Sequence, residues 1–248
     1  GRIEMLLDDN SYIYLKENDF CISKQTSQSE SYFPTRYYHG ITMYFDPEFF
    51  TESNRNVVEL FHLDLSRMPE IYFEKKETYI AEVASGMRKT LNRLWQLYES
   101  PSAFHMKLCV LDLLHQLLDE RNVSPEKALA FYTSVQVEIA KKAEQMLTAD
   151  LKKHIPMKEI AQQFGISETS LKNYFRGVYG KNVSDYLRDL RMSVAEKLLV
   201  ETKLPISEIA SQVGYTKQGK FAEVFRQQFQ MNPLEYRRKQ KLKDILLE

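Results

Sequence analysis

The eight residues IAQQFGIS (160–167) return 49 positions later as IASQVGYT (209–216). A phrase written twice at such spacing marks one supersecondary unit used twice, and it constrains the fold more than any bulk property of the chain. In the first copy, MKEIAQQFG (157–165) reads as a short amphipathic helix burying Ile160, Ala161 and Phe164. Gly165 falls where a helix-ending turn needs a residue tolerant of positive φ. Ser167 then caps a second helix with Leu171, Phe175 and Val178 at helical spacing. Short helix, glycine turn, second helix is the helix-turn-helix grammar, and the small Ala161 lets the two helices approach closely.

The second copy has Ile209, Ala210 and Val213, then Gly214, Thr216 as cap, and Phe221, Val224 and Phe225. Past its turn the offset grows from 49 to 50, so Leu171 matches Phe221, Phe175 matches Phe225, Arg176 matches Arg226 and Tyr186 matches Tyr236. One residue is added in the second turn while both cores keep register. Between the copies, VSDYLRDLRMSVAEKLLVET (183–202) contains no glycine or proline, has Ser184 as its expected N-cap, and offers Leu187, Leu190, Val194, Leu198 and Leu199 for burial. At about 1.5 Å per residue that helix spans roughly 28 Å. Successive major-groove faces on one side of a duplex lie about 34 Å apart. A rod of this length can hold two recognition helices over adjacent grooves.

The net charge is zero, but it is unevenly placed. Residues 1–135 carry 14 basic and 20 acidic side chains, whereas residues 136–243 carry 20 and 12. A basic half suits a polyanion, or is a chance clustering on solvated helix faces. Hydrophobic residues at 43% support a packed core, and at 248 residues the chain is long enough for two domains. No run of eighteen apolar residues occurs, and GRIEMLLDDN lacks a secretory pattern, so a cytoplasmic protein without a membrane partner is expected. Gly1 in place of methionine points to a missing upstream portion.

The first half opens with strand-like runs, YIYL (12–15), a polar turn KEND (16–19), FCIS (20–23) and GITMYFD (40–46), with a turn or short helix beginning at Asp46-Pro47. Ile80, Ala84, Met87, Leu91, Leu94 and Tyr98 lay one apolar seam along a helix. After SPS (100–102), Phe104, Leu108, Leu111, Leu114 and Leu118 mark one face of a second helix, widened by Val110, Leu113 and Leu117. These two helices either pack on the strands or form a dimer interface. Ser124-Pro125-Glu126 reads as another helix start, and Thr133 with Gln136 offers a capping box. The expected layout is 1–121, a linker 122–134, and a helical domain 135–248.

Residues from about 135 to 238 resemble the DNA-binding domain of the AraC/XylS family of bacterial transcription regulators. The likeness is carried by DYLRDLRMSVAEKLL, IPMKEIAQQFGIS, LPISEIASQVGY, FAEVFRQQF and NPLEYRR, in which Asn232, Pro233 and Glu235 make sense as cap, first helical residue and capping-box partner. The resemblance implies double-stranded DNA as the partner, with Thr169, Ser170, Lys172 and Asn173 on the exposed face of the first recognition helix and Lys217, Gln218 and Lys220 on the second. Lys172 can donate to guanine, and Asn173 or Gln218 can pair with adenine. Arg176 and Arg226 are placed on phosphates. Glu223 departs from the family's pattern and points the second helix toward backbone contact, while Gly219 weakens its start by about 1 kcal/mol.

The first half resembles, more weakly, the family's sensor part, through GRIEMLLDDNSYIYLKENDFCI and SYFPTRYYHGITMYFD. That likeness implies an α+β domain, a small and partial cupin-like β-barrel followed by two dimerisation helices bearing Met87, Leu91, Leu94, Leu108 and Leu111, ahead of an all-α domain with two helix-turn-helix units joined by a long helix. A homodimer, a small-molecule effector and contact with RNA polymerase, making the protein an activator, are the family's further implications. A ligand-independent DNA-binding protein and an enzyme domain fused to a DNA-binding module are the rivals.

Catalytic and cofactor chemistry finds no support. His39, His62, His105, His115 and His154 have no metal-ligand spacing, and His39 reads as structural. Cys109 sits in an apolar helix, and neither it nor Cys21 has neighbours that would activate a thiolate. RGVYGK (176–181) lacks phosphate-loop spacing. No metal, cofactor or enzymatic activity is expected.

Overall fold

The computed structural model describes residues 1–7, 10–24, 31–44, 56, 59–73, 77–127 and 129–247. They form β1 (Ile3–Leu6), β2 (Ser11–Leu15), β3 (Asp19–Ser23), α1 (Met68–Tyr72), β4 (Thr78–Glu82), α2 (Ser85–Glu99), α3 (Ala103–Leu118), β5 (Tyr132–Thr133), α4 (Ser134–Thr148), α5 (Met157–Gln163), α6 (Glu168–Tyr179), α7 (Val183–Glu201), α8 (Ile206–Gln212), α9 (Gln218–Phe229) and α10 (Pro233–Leu247). The chain divides into a unit of residues 1–9 with 13–131 and a unit of residues 10–12 with 132–248. Residues 10–12 join the second unit because β2 pairs antiparallel with β5, Ser11 opposite Thr133 and Tyr12 opposite Tyr132.

In the first half of the chain YIYL and FCIS are strands as expected, but no barrel closes among the described residues. One sheet has the order β1-β2-β5, and among the described residues β3 pairs only with β4, Cys21 opposite Ile80. Closure needs every strand to have two neighbours, which strands of two to five residues in two separate sheets do not supply. Residues 40–44 are irregular instead of the expected strand, because only Met43 finds a core to dock on while Tyr44 is exposed; the Asp46-Pro47 turn lies outside the described residues. The segment 124–127 is not a helix either. Glu126 bridges Ala81 and the Lys127 amide donates to the Ile80 carbonyl, so the backbone there is committed to an extended partner.

The apolar seam from 80 to 98 is split between two elements. Ile80 belongs to β4 and Ala84 precedes α2, whose buried Met87 packs with Tyr72, Leu113 and Leu117. Leu91 and Leu94 are half-buried against that same cluster, and Leu111 packs against Leu63, Leu114 and Leu118. On α3 the buried stripe is Cys109, Leu113 and Leu117 with Leu114 and Leu118, whereas Phe104 is 67% exposed and Leu108 40%. Four of the five residues expected at a dimer contact therefore serve the unit's own core at least in part. Thr90 of α2 donates to the Asp112 carboxylate and receives a hydrogen bond from Gln116 at 3.1 Å, which ties α2 to α3.

In the second unit the helices follow the expectations closely. Thr133 and Gln136 form the complete capping box of α4, each side chain accepting from the other's backbone amide. α7 runs 19 residues, but its N-cap is Asn182 rather than Ser184. The Asn182 side chain accepts from the Asp185 amide at 2.9 Å and donates to the Asp185 carboxylate. Its buried face is Tyr186, Met192, Ala195 and Leu199, with Leu187, Leu190, Val194 and Leu198 only half-buried. At the far end Arg237 closes open carbonyls, donating to Leu199 at 3.1 Å and to Leu204 at 2.7 Å.

The second helices of the two copies, α6 and α9, end alike in left-handed residues, Gly180 at φ 74° and Gln230 at φ 55°. Glycine adopts that conformation freely and a residue with a Cβ does not. Gln230→Gly is expected to raise stability by about 0.5–1 kcal/mol in chemical denaturation.

Candidate nucleic-acid interface

Each copy turns on its glycine. Gly165 (φ 65°) ends α5, and Gly214 (φ 84°) ends α8. From Gly165 the cap Ser167 is two residues away, and its hydroxyl accepts from the Ser170 amide at 3.0 Å. From Gly214 the helix start is three residues away. The added residue moves the N-cap to Lys217, which makes no side-chain cap bond, and Thr216 does not cap as expected. The first recognition helix thus begins tied and the second begins free.

Behind the recognition helices the two copies match ring for ring. Phe175 lies 4.5 Å from Tyr179 and meets Tyr186 edge-on at 5.3 Å. Phe225 lies 4.4 Å from Phe229 and meets Tyr236 edge-on at 5.5 Å. The tyrosine hydroxyls then donate to carboxylates three helices back, Tyr186 of α7 to Glu144 of α4 at 2.7 Å and Tyr236 of α10 to Glu196 of α7. Burial, followed by the Glu196 hydrogen bond, raises the Tyr236 pKa and keeps its phenol protonated as donor.

These glutamates reveal a longer repeat than the quoted phrase. Ala140, Ala143, Glu144 and Leu147 of α4 stand 52 positions before Met192, Ala195, Glu196 and Leu199 of α7. The motif thus comprises a supporting helix, a short helix, a recognition helix and a following helix, with α7 serving as follower of the first copy and support of the second. Sequence reasoning missed this because only the alanine, glutamate and leucine survive, although their common offset was available.

The side chains expected to meet DNA are largely free of the core. Thr169, Lys172, Asn173 and Arg176 of α6 are exposed, as are Lys217, Gln218, Lys220 and Arg226 at α9. Ser170 is half-buried, and its hydroxyl lies 2.8 Å from that of Ser167, so it serves the cap. Both lysines rest on a carboxylate of their own helix, Lys172 on Glu168 at 2.5 Å and Lys220 on Glu223 at 3.0 Å. Exposed pairs of this kind contribute about 0.3–0.5 kcal/mol, too little to hold a lysine against a competing phosphate or base. Glu223 therefore screens Lys220 without locking it.

The inner face of α6 is equally specific. A Cβ on Gly177 would lie 2.3 Å from the Tyr132 ring, so the absence of a side chain there lets β5 settle on the recognition helix. Among the described residues no group of three His, Cys, Asp or Glu could hold a metal ion. Cys109 is buried, and burial pushes the Cys21 thiol up to about 12, leaving little thiolate at neutral pH. The His39 ring lies 5.4 Å from that of Trp95, the two planes tilted by 34°.

Residues 160–239 match the model of a helix-turn-helix domain family. Regulatory protein SoxS of Escherichia coli strain K12 is 38% identical over 78 residues, which cover 32% of this chain and 73% of that protein. The chain belongs to the AraC/XylS family of transcription regulators. Some relatives align over smaller shares of their length. The lactose operon transcription activator of Staphylococcus xylosus is 27% identical over 130 residues, covering 52% of this AraC/XylS-family chain and 47% of the activator. Among solved structures, the C-terminal domain of AraT, a response regulator from Geobacillus stearothermophilus, shares 29% identity with a TM-score of 0.38, covering 41% of this chain and 84% of that one. The family's relatives named here are regulators rather than enzymes. No helix among the described residues is long and apolar enough to cross a membrane.

Proposed function

We propose that the protein is a sequence-specific DNA-binding transcription regulator, acting as an activator in the cytoplasm and reading two adjacent major grooves of one duplex. The observation that carries this reading is the ring-for-ring duplication behind α6 and α9, which supports two recognition helices of the same build on one 19-residue helix. Thr169, Lys172 and Asn173 read bases from α6, where Ser170 supports the Ser167 cap instead; Lys217, Gln218 and Lys220 do so at α9, and Arg176 and Arg226 hold phosphates. Activation follows from contact with RNA polymerase at the bound promoter.

Asn173→Ala is expected to cost about 1–3 kcal/mol at a single base position, measured by competition among duplexes selected from a random library. Arg176→Ala should weaken every duplex alike and flatten the salt dependence of binding, since a lost phosphate contact releases one counterion fewer. Uniform weakening by Asn173→Ala would make it a positioning contact instead.

The first unit serves as the assembly and sensing part. A cleft of about 410 Å³ lined by Glu82, Val83, Ser124, Pro125 and Lys127 has the size of a small-molecule site, and a metabolite panel in thermal-shift assays tests it. Homodimerisation falls to the outward side of α2 and α3, where Trp95, Tyr98, Phe104 and Leu108 are exposed. Phe104→Glu with Leu108→Glu should give a folded monomer by light scattering, and an unchanged mass from a dimeric parent would exclude this face.

A further inference from the structure

A stiff rod sets the distance between two hairpins but leaves each hairpin free to swing about its attachment. In this chain the two copies also meet directly, beside the rod and through one of its side chains. Leu151, in the turn after α4, belongs to the first copy, and its carbonyl accepts a hydrogen bond from Arg191 Nη2 at 2.9 Å. The same carbonyl lies against Gly214 in the turn of the second copy, where a Cβ would come within 2.1 Å of the oxygen and 3.1 Å of Arg191 Nη2. The Arg191 guanidinium also faces the ring of Tyr215, 6.0 Å from its centroid. Tyr215 in turn meets Phe221 of α9 at 5.7 Å. A path of direct contacts therefore runs from the loop that leads into α5, through one arginine, to the second recognition helix.

The position of Arg191 along α7 gives this path its meaning. Tyr186 belongs to the first copy's aromatic group, whereas Met192, Ala195 and Leu199 belong to the second copy's core. Arg191 stands where the rod changes hands. The geometry points to Arg191 as a positioning residue that fixes the angle between the two helix-turn-helix units, and so sets which spacing of half-sites the protein accepts. This rests on the two-groove reading above. One inserted base pair turns the second groove by roughly 35° about the duplex axis. A joint clamped on a backbone carbonyl resists that rotation, whereas a rod bearing two independently swinging hairpins does not.

The test uses the full chain and a duplex selected by it from a random-sequence library, together with versions carrying one or two base pairs inserted between the halves and versions with either half scrambled. The wild type should bind the parent duplex best and lose affinity at each insertion. Arg191→Met keeps the aliphatic stem and removes the donors. It should lose about tenfold on the parent duplex, because a loosened second half has a lower effective concentration, while binding duplexes with either half scrambled as the wild type does. Its affinities for parent and inserted duplexes should converge. Arg191→Lys, which retains a charged donor, should restore part of the discrimination.

Equal losses at every spacing, or a loss on the scrambled-half duplexes as well, would make Arg191 a folding element and overturn the proposal, as would unchanged discrimination in Arg191→Met. If the wild type itself ignores scrambling of one half, the two-groove reading has failed, a result distinguishable from failure of the joint.

Discussion

Phe225→Ala is expected to unfold the second helix-turn-helix half, at a cost of about 3–5 kcal/mol. Phe225 is fully buried and touches the rings of Phe221, Phe229 and Tyr236, so its removal empties the centre of an aromatic group instead of trimming an edge. Whole-domain stabilities are about 5–15 kcal/mol, so the loss is a large fraction of what holds α9 on α7. Phe175→Ala should act with similar size on the first half, because its surroundings are the same. Val200→Ala, on the open side of α7, should stay within about 0.5 kcal/mol. Chemical denaturation followed by circular dichroism reads all three, and equal midpoints for Phe225→Ala and Val200→Ala would refute the packing account.

The second large effect separates two glycines that look equivalent in the repeated phrase. Gly165→Ala should cost about 1–2 kcal/mol, the strain of a left-handed alanine, because nothing lies within 4 Å of the added carbon. Gly214→Ala carries the same strain and also drives a Cβ onto the Leu151 carbonyl, an atom of the backbone that cannot rotate away. With overpacking added, the total comes to about 2–5 kcal/mol. Denaturation midpoints of the two variants measured side by side decide it. Equal costs would mean that Leu151 and Gly214 do not press on each other in solution, which would also weaken the joint inferred around Arg191.

What the sequence made legible follows from locality. Ile160, Ala161, Leu171, Phe175 and Val178, with Ile209, Ala210, Phe221, Val224 and Phe225, lie where helical spacing places them, because an apolar stripe and a glycine turn act over a few residues. The caps were harder to read. Thr216 and Ser184 are good capping residues, but the added residue in the second turn and the fit of Asn182 with Asp185 place the caps elsewhere. The first unit was the least legible, because residues 124–127 take their conformation from Ile80 and Ala81 far back along the chain, and residues 40–44 dock through Met43 alone. The seam from Ile80 to Tyr98 shows how a helical period can run unbroken across a strand and a helix. Arg191 left no signal, since its partner at Leu151 is a backbone oxygen and its neighbour at Gly214 has no side chain.

Of the candidate site, the exposed faces of α6 and α9 emerged from the apolar pattern by subtraction, while the screening of Lys172 by Glu168 and of Lys220 by Glu223 needed coordinates. Lysines held this weakly suit a surface that exchanges one polar partner for another. A hydroxyl-radical footprint on a duplex selected by the full chain tests the central reading most directly. The account predicts two protected patches on one face of the DNA, about 10–10.5 base pairs apart. A single patch, or two on opposite faces, would contradict it.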